Sequence, residues 1–395
     1  MFEVARSNRY HIAVFGRRNV GKSSLVNSLV GQNISIVSDI AGTTTDTVWK
    51  NIELPGIGAA VIADTAGFDD VGALGVKRID AARKVVARVD LALLLLGDDI
   101  SDSKLEMEWY ALLKSYSIPV IPVVGKCDKV AFCEAVEGWK ALLGEEVFTF
   151  SSFTGSGRDA LLEKMAMYYK KNELSGDITS SLVEKGDVVV LVMPQDEQAP
   201  KGRLIQPQVQ VLRNLLDKHC IPLCCAPEEL SSLLQLLNAP PSLVITDSQV
   251  FGYVEQVVPV GVRITSFSVL MARYKGDIDV FVEGARAMLE MPSDGRVLIA
   301  EACAHVPQNE DIGRVKLPRL LRKHFGSELS IDIVSGNDFP TDLSGYNVVI
   351  HCGACMFTRG HVMHRICQAK NDGVPITNYG IAIAALLGIL DKIVY

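Results

Sequence analysis

One octapeptide constrains this chain more than any other feature: Gly16-Arg17-Arg18-Asn19-Val20-Gly21-Lys22-Ser23, which reads G-x-x-x-x-G-K-S. It lies between the apolar run His11–Phe15, predicted as a strand, and a stretch from Lys22 to Val30, predicted as a helix. That context is the one such a loop requires. Glycines let the backbone wrap phosphate oxygens, and a helix N-terminus supplies N–H donors and a favourable dipole. Lys22 is placed for the β- and γ-phosphates, and the Ser23 hydroxyl for Mg²⁺.

The rest of the first 172 residues alternates in the same way. Ala60–Ala63, Leu91–Leu96, Pro119–Val124 and Val147–Phe150 read as buried strands. Helical patterns lie near Gly75–Arg88, Ser103–Ser117 and Gly157–Lys171. This predicts a mostly parallel sheet with helices on both faces. The polar segment Asn172–Ser181 marks a boundary. Beyond it come a strand at Asp187–Met193, helices at Pro207–His219 and Pro227–Leu237, and a strand at Leu243–Thr246. From Ser266 onward, strands are predicted at Arg296–Ala300, Ile331–Val334, Val348–Ile350 and Pro375–Thr377. Helices are predicted at Gly276–Met291, Asp311–Phe325, Gly360–Lys370 and Ile381–Leu387. No internal repeat is visible. The expected organisation is three α/β domains: 1–172 around the phosphate loop, a small one at 181–265, and a parallel-sheet domain at 266–395.

Composition narrows the function. Of 395 residues, 48% are hydrophobic, enough for real cores. The formal charge is −7, with the acidic surplus almost entirely after Asn172. Neither half is basic, which argues against nucleic acid and anionic membrane as partners. The apolar runs Leu91–Leu96 and Ile381–Leu390 are short of the ~20 residues of a membrane span. The N-terminus lacks a signal-peptide core, so a cytoplasmic location is expected. Nine cysteines then point to thiols or metal ligands, not to a disulfide framework.

Further landmarks choose the nucleotide. Gly42-Thr43-Thr44-Thr45-Asp46 offers hydroxyls, Thr44 among them, to close over the γ-phosphate and Mg²⁺. Asp64-Thr65-Ala66-Gly67 follows a buried strand as a metal-binding aspartate does. Gly125-Lys126-Cys127-Asp128 and Ser151-Ser152 follow later strands. In order and spacing, Arg9 to Lys171 resembles the TrmE/Era-like GTPases of the Ras-like fold. The resemblance implies GTP and GDP as ligands. Gly16, Asn19, Val20, Gly21, Lys22, Ser23 and Ser24 would cradle the phosphates. Lys22, Ser23, Thr44, Asp64 and Gly67 would serve hydrolysis, with Mg²⁺ at Ser23 and Thr44. Asp128 would read guanine, Lys126 would cover the base, and Ser151 and Ser152 would lie under it. Asn19 stands where potassium-using members ligate K⁺. Gly125 departs from the family's asparagine, and Phe68 occupies the place of a water-orienting glutamine. Slow, switch-like turnover is expected.

A second constellation lies far downstream. Cys303-Ala304-His305 follows the strand Arg296–Ala300, and His351-Cys352-Gly353-Ala354-Cys355 follows Val348–Ile350. Both sit at strand carboxyl ends, where open α/β sheets bind ligands. Three thiols with C-x-x-C spacing suit one metal centre. Cys303, Cys352 and Cys355 with His305 or His351 would make a Cys₃His zinc site. The same thiolates would hold a 4Fe–4S cluster, with His305, His351 or Glu310 at the fourth position.

A TrmE/Era-like GTPase joined to a small middle domain and a three-cysteine domain resembles the HydF family of FeFe-hydrogenase maturation GTPases. Pro200–Gln208 also looks family-like, although Cys303-Ala304-His305 stands where the family often has His-x-His. The resemblance implies a homodimeric scaffold that holds a 4Fe–4S cluster. It would take a di-iron precursor from two radical-SAM maturases and deliver it to apo FeFe-hydrogenase. Two other readings stay open: a zinc-stabilised GTPase assisting tRNA modification or ribosome assembly, and a redox-active thiol enzyme.

Overall fold

The computed structural model describes residues 9–30, 48–69, 79, 82, 85–86, 88–116, 118–173, 177–194, 204–302, 311–336, 338–354 and 357–395. Contacts divide the chain into two units, Met1–Ser175 with Thr358–His364, and Gly176–Phe357 with Arg365–Tyr395.

In the first unit, β1 (Tyr10–Gly16) leads through the phosphate loop into α1 (Lys22–Val30). There follow β2 (Val48–Leu54), β3 (Gly58–Asp64), β4 (Leu91–Leu96), α2 (Lys104–Ser115), β5 (Val120–Val124), α3 (Val130–Leu143), β6 (Phe148–Thr149) and α4 (Arg158–Glu173). The strands form one sheet in the order β2-β3-β1-β4-β5-β6. All neighbours are parallel except β2, which runs antiparallel to β3 at the edge. Alternation along β1 divides the core: Ile12 and Val14 face a cluster with Leu25 and Leu29, while Ala13 and Phe15 face Trp109 and Trp139. Every residue of β4 is buried, as befits a central strand covered on both faces. The sequence reading missed β2 and α3. The helix expected over Gly75–Arg88 falls largely outside the described residues.

The second unit holds two further sheets. The first comprises β7 (Val188–Val192), β8 (Ile221–Cys225), β9 (Leu243–Thr246) and β10 (Arg263–Ser266), with α5 (Gln206–Asp217), α6 (Leu230–Leu236) and α7 (Phe251–Val257) between them. Then come α8 (Phe267–Lys275) and α9 (Ile278–Leu289). The last sheet comprises β11 (Arg296–Glu301), β12 (Ser330–Ser335), β13 (Val348–His351) and β14 (Ile376–Asn378). Its helices are α10 (Leu317–Phe325), α11 (Arg359–Asn371) and α12 (Tyr379–Leu386).

The two sheets are ordered β10-β9-β7-β8 and β12-β11-β13-β14, and every pair is parallel. Both therefore follow one plan: the first strand is flanked by the second and third, with the fourth outside the third. This shared order has no counterpart in the sequence. Chain direction across the sheet reverses between β7 and β9, and again between β11 and β13. A crevice opens at the carboxyl ends of strands at such a point. Edge strand β8, missed in the sequence, is partly exposed, and Cys224 on it is exposed. Among the described residues, no helix is long and apolar enough to cross a membrane.

Candidate functional site

The nucleotide site is built where β1 meets β4. Gly16 takes φ +152°, and a Cβ there would meet the Leu95 carbonyl at 2.7 Å and Val20 Cγ1 at 2.9 Å. Asn19 has φ +60°, a left-handed conformation that asparagine tolerates better than most residues. The loop closes on Lys22, whose Nζ donates to the carbonyls of Gly16 (3.0 Å) and Arg17 (2.7 Å).

Ser23 Oγ donates to Asp64 Oδ2 at 2.5 Å. The other oxygen, Asp64 Oδ1, is buried with no hydrogen-bond partner among the described residues. A hydroxyl beside an unsatisfied carboxylate oxygen is a donor set that fits Mg²⁺. Thr65 Oγ1 donates to the Val14 carbonyl at 2.7 Å and ties this corner to β1. Gly67 passes so close to the phosphate loop that a Cβ would lie 2.7 Å from the Arg18 amide nitrogen. That amide donates to Asp69 Oδ1 at 2.6 Å. Phe68 is turned into the core and stacks on Trp109, with centroids 5.4 Å apart. Arg17 is not free to act on phosphate. Its Nε donates to buried Glu106 at 2.6 Å and its Nη1 lies 2.8 Å from Asp102. Hydrogen bonding to Glu106 raises the guanidinium pKa further.

The base-reading loop reaches the same mouth. Lys126, at φ +54°, donates from Nζ to the Asn19 carbonyl at 2.6 Å. Ser151 Oγ donates to Asp128 Oδ1 at 2.7 Å and holds that carboxyl below the usual carboxylate range. Ser24 and Ser152 are exposed at the rim. A Cβ on Gly125 would stand 3.4 Å from the Val20 carbonyl, in ordinary contact with the phosphate loop. Thr44 lies outside the described residues.

The second site occupies the crevice between β11 and β13, where Ala300 pairs with His351. Cys352 follows at once, its N–H donating to the Ala300 carbonyl. Its sulfur accepts the amides of Ala302 (3.0 Å) and Ala354 (3.4 Å). Ala354 itself adopts φ +52°, a left-handed conformation uncommon for a residue with a Cβ. Two aimed N–H groups favour a thiolate over a thiol, the form that binds metal. The Cys352 carbonyl is held by Asn378 Nδ2 at 3.2 Å and by His351 Nδ1 at 2.8 Å.

His351 is fully engaged. Its Nε2 lies 2.9 Å from Arg365 Nη1, and a guanidinium only donates, so Nε2 accepts and Nδ1 carries the proton. Burial, with Arg365 beside it, pushes the imidazole down to about 3. Both ring nitrogens are engaged in this arrangement, so His351, one of three candidates for the fourth position, here holds Arg365 and the Cys352 carbonyl. Cys303, His305, Glu310 and Cys355 lie outside the described residues. Among the described residues, no three metal-ligating side chains come together. The sequence reading overlooked Arg365, although an arginine on the apolar stripe Val362, Ile366, Ala369 of α11 is a legible signal.

Residues 178–276 match the family model described as the hydrogen maturase F dimerization domain, and residues 279–395 the hydrogen maturase F tetramerization domain. The chain belongs to the hydrogen maturase F family. Residues 11–126 of this maturase match a GTPase family model, described as 50S ribosome-binding GTPase, so its first unit is a Ras-like GTPase domain. It is 33% identical to GTPase Der of Wolinella succinogenes over 183 residues, 44% of this chain and 38% of that one. It is 38% identical to the tRNA modification GTPase MnmE of Chromobacterium violaceum over 159 residues, 39% of this chain and 34% of that one. The maturase thus spans well under half the length of these curated relatives. Among solved structures, Era of Aquifex aeolicus bound to GDP and AlF4⁻ aligns over 62% of this chain and 97% of its own. The identity is 18% and the TM-score 0.34. The G domain of the T. maritima FeoB iron transporter aligns over 41% and 99%, at 22% identity and a TM-score of 0.31.

Proposed function

We propose that this maturase is a GTP-regulated scaffold that holds a 4Fe–4S cluster on Cys303, Cys352 and Cys355. It receives a di-iron precursor as cargo from two radical-SAM maturases and delivers it to apo FeFe-hydrogenase in the cytoplasm. The observation that carries this reading is Cys352: a sulfur at the reversal point of a parallel sheet, already aimed at by two backbone amides. Its setting suits an anionic metal–thiolate group. A four-iron cluster on three thiolates supplies one iron with an exchangeable ligand position. With His351 committed elsewhere, His305 and Glu310 are the residues left for that position.

The chain's own residues have separable tasks. Lys22 and the loop amides bind GTP phosphates, Ser23 and Asp64 with Thr44 hold Mg²⁺, Asn19 holds K⁺, and Asp128 reads guanine. Phe68 is packed on Trp109 and orients no water, which supports a slow, regulated GTPase. The domains are 1–172 for GTP, 181–265 for dimerisation and 266–395 for the cluster. The match to dimerization and tetramerization models supports self-association. The open edge of β8 is a natural seam for a homodimer, because an unpaired strand presents a row of free backbone groups.

Anaerobic purification of the full chain, with metal and sulfide analysis and an optical spectrum, tests the proposal. Iron with stoichiometric sulfide, lost in Cys303→Ser, Cys352→Ser and Cys355→Ser, is the expected result. Zinc without iron overturns it in favour of a zinc-stabilised GTPase.

A further inference from the structure

Arg365 is buried to 1% exposure, and its charge has no carboxylate partner among the described residues. Its Nη1 donates to His351 and its Nη2 to the Gly336 carbonyl, while Nε has no partner among the described residues. The guanidinium is clamped between two aromatic rings, 4.4 Å from the Phe339 centroid and 4.7 Å from that of Phe357. Burying a cation without a counter-ion is costly and requires compensation. Rings and carbonyls return part of that cost but supply no net negative charge.

The residue tied to this arginine precedes Cys352. Nearby, the Tyr379 hydroxyl is buried with no hydrogen-bond partner among the described residues, and a Cys352 thiolate acts on it ahead of the buried carboxylates of Glu301 and Asp311. Arg365, two donors without partners among the described residues, and the buried Lys275 ammonium, whose Nζ donates to the Ala354 and Phe357 carbonyls at 2.8 Å each, thus gather around a loop whose sulfur already accepts two amides. Such a pocket is built for negative charge centred on Cys352. A single thiolate supplies some of it; three thiolates bridged to sulfide-bearing iron leave a centre that is net anionic and gains a further negative charge on reduction.

We infer that Arg365 is a buried counter-ion of the metal–thiolate centre, held in register with Cys352 through His351, and that it stabilises the reduced state of that centre. This rests on the cluster reading above. Tethering through the imidazole matters because it fixes the charge relative to the backbone of the ligand loop.

The test uses the full chain, purified without oxygen and reconstituted with ferrous iron and sulfide, in a redox titration followed by electron paramagnetic resonance. Arg365→Met and Arg365→Gln remove the charge at similar volume; Arg365→Lys keeps it. The neutral variants are expected to disfavour reduction by about tenfold, a shift of about 59 mV to more negative potential for one electron. They are also expected to lose iron to a chelator faster. Arg365→Lys should shift by less than half as much. Wild-type potential and iron-release rate in the neutral variants overturn the counter-ion role and leave the cluster reading standing. If neither neutral variant folds, a folded Arg365→Lys chain with the full tenfold shift overturns it as well. A wild-type chain that takes up no iron–sulfur cluster removes both together.

Discussion

The backbone amide of Arg18 donates to the carboxylate of Asp69 at 2.6 Å, so a negative group leans on the loop that wraps phosphate. A nucleotide phosphate needs the same donors and is repelled by the same charge. Asp69→Ala is expected to tighten GTP and GDP binding on the order of threefold to tenfold, the scale of one exposed charge-assisted hydrogen bond. Fluorescent-nucleotide titration reads this directly, and unchanged affinity would remove Asp69 from the nucleotide cycle.

Lys22 and Ser23 carry the catalytic prediction. With Lys22 Nζ closing the loop and Ser23 beside an unsatisfied Asp64 oxygen, Lys22→Ala and Ser23→Ala should each lower Mg-GTP turnover on the order of 100-fold or more. Phosphate-release kinetics check it; near-native rates in both variants would show that hydrolysis occurs elsewhere.

Potassium dependence follows from Asn19 at the lip of the loop. Turnover should be faster in K⁺ than in Na⁺, and the two rates should converge in Asn19→Ala. Equal wild-type rates in the two salts would count against an ion at this position.

The Ser151 hydroxyl sets the acid limit of guanine reading. Asp128 accepts from guanine only when ionised, and Ser151 keeps its pKa low, so binding persists as pH falls and is lost only on passing through that depressed value. Ser151→Ala should return the carboxyl toward ~3.9 and move the loss of binding to higher pH. Titrations from about pH 6 down to about pH 3 span the ordinary carboxylate value and compare the two limbs. Superimposed limbs would show that Ser151 leaves Asp128 untouched.

Gly284 offers a test of packing alone. A Cβ at this position of α9 would lie 2.0 Å from the Ile376 carbonyl of β14, backbone against backbone, with no flexible group to give way. Gly284→Ala is expected to cost about 1–3 kcal/mol of stability in the second unit, seen as a lower Tm with GTP turnover retained. A Tm equal to wild type would mean that α9 can lift from the sheet freely.

Much of this architecture is legible in the residues. The buried runs Leu91–Leu96 and Leu243–Thr246 and the helix Lys22–Val30 stand where periodicity and the phosphate loop place them. The elements that were missed are those whose identity comes from neighbours. Strand β8 is an edge strand carrying Pro222, with half-exposed residues and no clear alternation. Strand β2 runs antiparallel at a sheet edge and mixes Trp49, Lys50 and Glu53 with apolar residues. At the sites, motifs announced Lys22, Asp64 and Cys352 because each chemistry needs a fixed residue type at fixed spacing. Arg365, Asp69 and the tautomer of His351 belong to no motif. They depend on which side chains the strand order brings together, and parallel strand order is not written in local pattern.

The all-parallel arrangement of the last sheet also sets when the metal centre can exist. The Ala302 amide and the Cys352 sulfur meet across 50 residues of chain, and Asn378, which holds the Cys352 carbonyl, comes another 26 residues later. No hairpin joins these strands; each neighbour is reached only through a crossover, the slow, non-local kind of pairing. A nascent chain therefore emerges with Cys303 and Cys352 far apart along the chain, and no fragment ending before β14 can present the finished pocket. On the cluster proposal, loading with iron would belong after synthesis and folding are complete. Until then, the cysteines depend on their surroundings, not on the fold, to escape oxidation.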